Sequence, residues 1–558
     1  MMKELTVSIV SLIIVIGAVI CTANDAPATN KIVDTICAPT KNKNMCTTKL
    51  NTVANNQSAT VIDYIKAAFE ATSEEVKKAL DETFKVKVDN TSDPYNHMGV
   101  EDCKSLLQYA IDTLQAAISM VGDSEVHTIA DRGYDLLNWI SAVGAYQSIC
   151  TEQLDKPEIK NPIQNGMIDA TQLTSNAITI VAKLGEILPA FGIQLPNISI
   201  NDIMKVNDGS RRLFEVSEVG HGDEYPEWFS AADRKLLMLT RMKPNAVVAK
   251  DGSGQYNTIN GAIAAIPKDR VGRWIIYVKA GVYEEHVVIP DKVTDLYMYG
   301  DGPRKSIVTG SKSFKSGVNT MNTATFAVEG DRFLCKGMGF RNTAGPEGHQ
   351  AVAFRSKSDL SACFNCRFDA YQDTLYYQTG RQFYRNCVIY GTVDFIFGKG
   401  TALIQNSQII VRMGDSGQKN TVTADGKIQA DSSGGLVIHK CKIVPDATLY
   451  ANRFQFPSYL GRPWSPDAVT VVMSTEIGDF LHPDGWMLWD GTDRHQSCTY
   501  REYKNFGPGA NPDARVKWAK VITDPKEAQR WSVAAHLEGG KEATAWVVHT
   551  GVPVDFSL

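Results

Sequence analysis

The sequence lacks the short motifs that mark the commonest hydrolase and nucleotide-binding chemistries. It contains no GxSxG, and so no strand-to-helix elbow for a serine nucleophile. Its 10 histidines are scattered without HExxH spacing, so no metal and no organic cofactor is expected. The glycine-rich stretch Asp251–Gly254 belongs to no GxxxxGK[ST] phosphate loop. Heptads are absent, which excludes a coiled coil. Beyond Ile20 no stretch is apolar enough to cross a membrane. Positive charge is dispersed and no nucleic-acid module is recognisable, which argues against nucleic acid as a partner.

What is present is the composition of a folded, multi-domain protein, 43% hydrophobic and 21% charged over 558 residues. Near the N-terminus, Lys3 precedes an uncharged run from Leu5 to Ile20 that ends in small residues to Ala23 and Ala26. The run is short for a span of about 20 residues, so residues 1–23 read as a secretory signal peptide. A retained signal anchor is the alternative, because Glu4 weakens the positive flank. A signal peptide makes the protein extracellular and turns the sequons at Asn56, Asn90 and Asn197 into candidate glycosylation sites.

From 31 to 205 the apolar residues recur at helical steps, as in Leu106, Leu107, Ala110, Ile111, Leu114, Ala117 and Ile118. Four cysteines in a secreted helical segment predict two disulfides, with Cys37–Cys46 and Cys103–Cys150 as the candidate pairs. The segment reads as a four-helix bundle with a stapled N-terminal hairpin. Residues 206–244 are polar and read as a linker carrying two dibasic sites, Arg211-Arg212 and Arg234-Lys235. Charge divides near the end of that linker. Residues 24–235 hold 19 Lys+Arg against 30 Asp+Glu, and 236–558 hold 37 against 31. A basic C-terminal part suits an anionic polymer, and an acidic N-terminal part could cover the same face.

From 245 to 558 the sequence is β-rich and internally repetitive. Laid over itself at a shift of 21, it puts Asn365-Cys366 on Asn386-Cys387 and Asp373 on Asp394. The phase continues through Gly337-Met338, Asn406-Ser407 and Lys440-Cys441, each followed two positions later by an apolar residue: Phe340, Phe368, Ile389, Ile409 and Ile443. Such a period, with loops of varying length, predicts a parallel β-helix. Coils stack at strand spacing, so Asp373 and Asp394 should lie roughly 5 Å apart on one face. Like charges that close raise one pKa and leave the other carboxylate ionised, giving an acid and a nucleophile from one residue type. The amides of Gln350 and Gln372 could donate to an oxyanion formed by attack on a carbonyl.

Two resemblances follow from these residues. The segment CAPTKNKNMC at 37–46, with the later cysteine pair, resembles the pectin methylesterase inhibitor domain family. The motifs GVYEE (281–285), QAVAFR (350–355), YQDTLY (371–376), GTVDFIFG (391–398) and LGRPW (460–464) stand in the order seen in plant-type pectin methylesterases. The resemblance implies a right-handed parallel β-helix that demethylesterifies homogalacturonan in the cell wall without a cofactor. It implies that Asp394 is the nucleophile, Asp373 the proton donor and later base, and Gln350 and Gln372 the oxyanion stabilisers. Arg462 would pair with Asp394 and contact substrate, Trp464 would stack on a sugar, and Thr320 would occupy a substrate-contact position. Tyr371 and Phe395 would line the cleft. An inhibitor-like domain fused ahead of such an enzyme implies a pro-region, removed in the linker by a subtilisin-like protease. Phe214 stands where the family commonly has leucine, so the second dibasic site fits better than the first. Ser407 stands where many relatives carry cysteine, which precludes a disulfide to Cys441. The six cysteines of this part cannot be paired from sequence, although Cys366 and Cys387 should be neighbours.

A β-helix polygalacturonase or pectate lyase is the competing expectation, because a retaining glycosidase also needs carboxylates about 5 Å apart. The chain has no Asp-Asp dipeptide of the polygalacturonase kind and no evident acidic calcium cluster, and the glutamines favour acyl chemistry. The other competitor is an inhibitor or wall-binding protein with an inactive β-helix, against which the intact set of site residues argues.

Overall fold

The computed structural model describes residues 28–125, 128–193, 243–540 and 546–558. The signal segment, Asn197 and both dibasic sites lie outside these residues.

The N-terminal part is all-α. A hairpin of α1 (Ala28–Cys37) and α2 (Lys43–Ala54) is closed by the Cys37–Cys46 disulfide. Four longer helices follow: α3 (Val61–Lys85), α4 (Pro94–Gly122), α5 (Ile129–Glu152) and, after the short α6 (Pro157–Gly166), α7 (Ile168–Ala182). Their starts are written locally. Thr60 and Asp63 form a capping box on α3, and Asp93 accepts the Asn96 amide at the head of α4 with Pro94 in the first turn. The periodic residues Leu106, Leu107, Ala110, Leu114 and Ala117 are buried, and the Cys103–Cys150 disulfide ties α4 to α5. Asn56 and Asn90 are exposed.

The C-terminal part is a parallel β-helix of three sheets with 11, 7 and 8 strands. The seven-stranded sheet carries the site, and its strands are labelled here β1 (Val287–Ile289), β2 (Phe326–Val328), β3 (Phe354–Ser356), β4 (Leu375–Tyr377), β5 (Ile396–Gly398), β6 (Asn420–Asp425) and β7 (Ser458–Gly461). Each pairs in parallel with the strand one coil away. The repeat seen in sequence is the inner wall of a different sheet, where Phe340, Phe368, Ile389, Ile409 and Ile443 are in register and fully buried. The marker before each is a corner. Asn365, Asn386 and Asn406 have φ of 52°, 54° and 48°, a left-handed conformation that asparagine tolerates better than most residues.

Among the described residues, cysteines 335, 363, 366, 387, 441 and 498 are buried free thiols, with the sulfurs of Cys366 and Cys335 3.7 Å apart. Ser407 substitutes a hydroxyl in this column, and its Oγ accepts the Cys387 amide at 3.0 Å. A short helix (Ile259–Ala264) packs at the N-terminal end of the coil, its first amides held by the Glu285 carboxylate. The β-rich expectation fails at the other end of the chain. Three short helices, Pro525–Gln529, Val533–Glu538 and Trp546–His549, pack on the outer face of the 11-stranded sheet through Ala528, Val533, Leu537 and Val547.

The bundle lies against the outer face of the seven-stranded sheet. Met321 is buried in the bundle's own core, and Ile428 packs so closely on Gly144 of α5 that a β-carbon there would collide with it. Polar contacts surround these two anchors. The amides of Asn319 and Asn322 donate to Asp102 at 2.6 and 2.7 Å, Tyr109 donates to Glu329 at 2.9 Å, and Arg381 pairs with Asp135 at 2.6 Å.

Candidate active site

Asp373 and Asp394 each stand two residues ahead of their strands, and the pairing of Leu375 with Ile396 puts them at the same position of adjacent coils. Both lie at corners in the left-handed conformation, with φ of 63° and 48°, which turns their side chains out of the strand pattern. The Asp373 amide donates to the Val393 carbonyl at 3.1 Å and fixes the two corners together.

The two carboxyls have different surroundings. Arg462 grips Asp394 with both arms of its guanidinium, Nε to Oδ1 at 2.8 Å and Nη2 to Oδ2 at 2.6 Å. The Thr421 hydroxyl donates to Oδ1 at 2.6 Å, and its Oγ1 accepts the Asp394 amide at 2.8 Å. Burial works against the charge on Arg462, and Asp394 outweighs it, so the guanidinium is held protonated. Asp373 is raised well above the usual carboxylate range, first by burial and then by the charge of Asp394, with Arg462 opposing only in part. One carboxylate is therefore clamped by a cation, and its neighbour is pushed toward the neutral acid by burial and by that charge.

Gln350 and Gln372 lie on adjacent coils, where the Gln372 carbonyl accepts the Ala351 amide at 3.2 Å. The buried Oε1 of Gln350 has no partner among the described residues. Outward-facing residues of the sheet form the floor beside this pair. The register aligns Ala327, Arg355, Tyr376, Phe397 and Ala424 in one row, with Tyr376 and Phe397 stacked at 4.3 Å. Trp464 continues the row 6.0 Å from Phe397. Gly426 allows this, because a β-carbon there would stand 2.7 Å from the indole. The bundle covers this end. A cavity of 710 Å³ between the two parts is lined by Gln147, Glu152 and Ile178 on one side and by Lys399, Trp464 and Arg494 on the other.

One residue expected in the cleft lies elsewhere. Phe395 is not in the cleft. It is fully buried in the β-helix core, because the left-handed corner at Asp394 sends the next side chain inward. Thr320 opens a 3-10 turn, Thr320–Thr323, whose Met321 is the plug in the bundle core, so it belongs to the contact between the two parts. Tyr371 lies under the Arg412 guanidinium at 4.0 Å. Thr421, Trp489 and Lys399 were not anticipated from sequence. Trp489 stacks under Arg462 at 4.3 Å, and Lys399 lies over Trp464 at 4.0 Å. Only Thr421 had a usable signal, being one coil beyond Asp394, but its coil is longer than the 21-residue period.

Comparison with known proteins agrees with this architecture. Residues 245–540 match the family described as Pectinesterase, and residues 31–180 match Plant invertase/pectin methylesterase inhibitor. The chain is 38% identical to Pectinesterase 4 of Arabidopsis thaliana over the whole of both chains. It is 38% identical to Pectinesterase/pectinesterase inhibitor of Brassica campestris over 95% of each. The structure of pectin methylesterase from carrot superposes with a TM-score of 0.55 at 44% identity, covering 57% of this chain and 99% of that one. The chain is a member of the pectinesterase family, an enzyme carrying an inhibitor-like helical domain ahead of its parallel β-helix.

Proposed function

We propose that this enzyme hydrolyses the methyl esters of cell-wall homogalacturonan with Asp394 as nucleophile and Asp373 as acid and base. An Asp394 oxygen attacks the C6 carbonyl of a galacturonate methyl ester, and the oxyanion is stabilised by the Gln350 and Gln372 amides. Asp373 gives its proton to the departing methoxyl oxygen, methanol leaves, and an acyl-enzyme anhydride remains. The Asp373 carboxylate then takes a proton from water. The resulting attack on the acyl carbonyl releases the galacturonate acid and restores both side chains. Arg462 holds Asp394 in place throughout, and Thr320 and Trp464 are assigned to binding the polymer.

The observation that supports this assignment is the difference in surroundings of two stacked aspartates, one clamped by Arg462 and one pushed toward its neutral form by burial. The bundle over the sheet supports a second element. The helical domain silences the uncut chain, and cleavage in the linker by a subtilisin-like protease precedes activity. Secretion to the wall, with glycans on the exposed Asn56 and Asn90, completes the assignment.

The test is methanol release from highly methylated pectin by the uncut chain, the linker-cut chain and Asp394→Ala. Wild-type cut chain should release methanol, the uncut chain should be suppressed, and Asp394→Ala should lose about 10⁴-fold or more. Reducing ends or unsaturated products in place of methanol would reject the esterase assignment in favour of depolymerisation.

A further inference from the structure

The strands that follow Asp373 and Asp394 run toward another buried carboxyl. Tyr377 closes β4, Gly398 closes β5 and Asp425 closes β6, and the register sets the three side by side on successive coils. Ala424 belongs to the outward row, so alternation turns Asp425 into the interior, where it is 0% exposed. Gly398 leaves the middle position open. A β-carbon there would stand 2.7 Å from the Tyr377 ring, and without one the Tyr377 hydroxyl reaches across two coils to Asp425 Oδ2 at 3.1 Å.

The other oxygen holds backbone. Oδ1 accepts the amides of Val469 at 2.7 Å and Lys427 at 3.1 Å, and the Asp425 carbonyl accepts the Trp464 amide at 3.0 Å. Residues 462–468 are the loop that leaves β7 with Arg462 and Trp464 and rejoins sheet structure at Val469. The Arg462 amide is held by the Thr423 carbonyl at 3.0 Å, and the Ser465 hydroxyl donates to the Lys427 carbonyl at 2.6 Å. Asp425 thus fastens the middle and the far end of the loop whose near end aims a guanidinium at Asp394. The proposed reaction makes no use of this carboxyl.

Three donors converge on it, which suits a carboxylate, and a charged acceptor binds an amide about twice as strongly as a neutral one. Burial raises its pKa from 3.8 to about 6, while the Val469 and Lys427 amides, the Tyr377 hydroxyl and the Lys427 charge oppose. The titratable groups facing it are Tyr377 from β4, Lys427 from the turn after β6, and Tyr500 and Cys498 at the 11-stranded sheet. Burial raises the two phenols and the thiol away from neutrality and lowers Lys427, whose charge Asp425, Asp467 and Asp431 support.

We propose that Asp425 is a positioning residue for the reaction: its carboxylate holds the 462–468 loop so that Arg462 orients Asp394, and protonation of Asp425 slackens that hold. This rests on the esterase assignment above. Activity then falls on the acid side of about pH 6 for a reason outside the reacting pair, and the fall is mainly in kcat, because Arg462 acts on the nucleophile.

The experiment measures kcat and KM for methanol release from highly methylated pectin from about pH 4 to 8, using whichever form of the full-length product, cut or uncut, is active. Asp425→Asn keeps the shape and an acceptor for the two amides but fixes the neutral form. At about pH 7.5 its kcat should lie about tenfold below wild type with KM little changed, and should vary little as pH falls through about 6. Tyr377→Phe removes a donor to the carboxylate and should move the acid limb to higher pH, which a loss of packing alone would not do. Because folding raises the pKa of Asp425, its charge costs stability as pH rises from about 4 through 6, so Asp425→Asn should not lower the melting temperature at about pH 7.5. A wild-type kcat and pH profile in Asp425→Asn overturns the positioning role and leaves the esterase standing, and so does an equal loss at every pH with a lowered melting temperature. If Asp425→Asn does not fold, an acid limb unmoved in Tyr377→Phe overturns the proposal by itself. No methanol from any form, wild type included, overturns the esterase assignment and this proposal with it.

Discussion

In the helical bundle a buried side chain meets its neighbours three or four positions along the chain, as Leu107, Ala110, Ile111 and Leu114 do on α4. In the β-helix the neighbour is a full coil away: Phe340 stacks on Phe368 at 5.6 Å, and Asp394 faces Thr421 across 27 residues. The bundle closes two disulfides. The β-helix has none among the described residues and keeps six buried thiols free. Contacts made locally are cheap to close, but a small acidic bundle has little else, so cross-links restrain its unfolded state. The solenoid gains stability coil by coil from stacked apolar and aromatic columns. A carboxyl pair built by coil register is therefore as rigid as the stack, and the domain that covers it is the separable element.

The largest effect expected from this difference is on the disulfides. Cys103–Cys150 spans a separation of 47 residues, for which loop entropy gives about 4 kcal/mol. The double variant Cys103→Ala/Cys150→Ala should lower the melting transition of the bundle and leave that of the β-helix in place, while methanol release from the uncut chain rises. A single transition that falls as one unit would show that the two parts do not behave separately.

Smaller, and set by pH, is the grip on Asp102. Burial against the β-helix pushes its carboxyl from 3.8 up to about 6. Hydrogen bonds from Asn322 and Asn319 and the nearby Arg355 oppose this, and Glu329 adds to it. A raised pKa in the docked state means that the docked form holds a proton the free form has lost. Its contribution to docking is full below roughly pH 4 and is lost as pH rises through about 6, on the order of 3 kcal/mol in all. Methanol release from the uncut chain, taken relative to the cut chain at each pH, should therefore rise between about pH 4 and 6 and level off above. Asp102→Asn should flatten that rise.

The same contrast explains what the sequence revealed. The bundle was legible from its 3.6-residue period and its cysteines, and the solenoid from a 21-residue period strong enough to align two aspartates. The phase was lost where a loop grew. Between Val411 and Asn420 the coil lengthens, so Thr421 falls 27 residues after Asp394 and escapes a shift of 21. Phe395 was expected in the cleft from the family resemblance, but the left-handed corner at Asp394 turns it into the β-helix core. Lys399 with Glu152, and Asn319 with Asp102, join the two domains, and no periodicity links residues of separate domains. The terminal helices are too short to display a helical period.

Thr421 provides the smallest and most discriminating effect. Its hydroxyl and the Arg462 Nε share Oδ1 of Asp394, while Oδ2 receives Nη2 alone and is the less committed oxygen. In the proposed mechanism the attacking oxygen is then Oδ2, with Thr421 as a positioning residue that holds the carboxylate plane. Thr421→Val keeps the shape and removes the donor. A hydrogen bond to a charged group contributes about 1.5–3 kcal/mol, so kcat should fall roughly 10- to 100-fold with KM little changed. Thr421→Ser, which keeps the donor, should recover most of the rate. If Thr421→Val instead raises KM at constant kcat, the hydroxyl acts on the polymer and not on the nucleophile. The coil register would then have placed a binding residue, not a positioning one, behind Asp394.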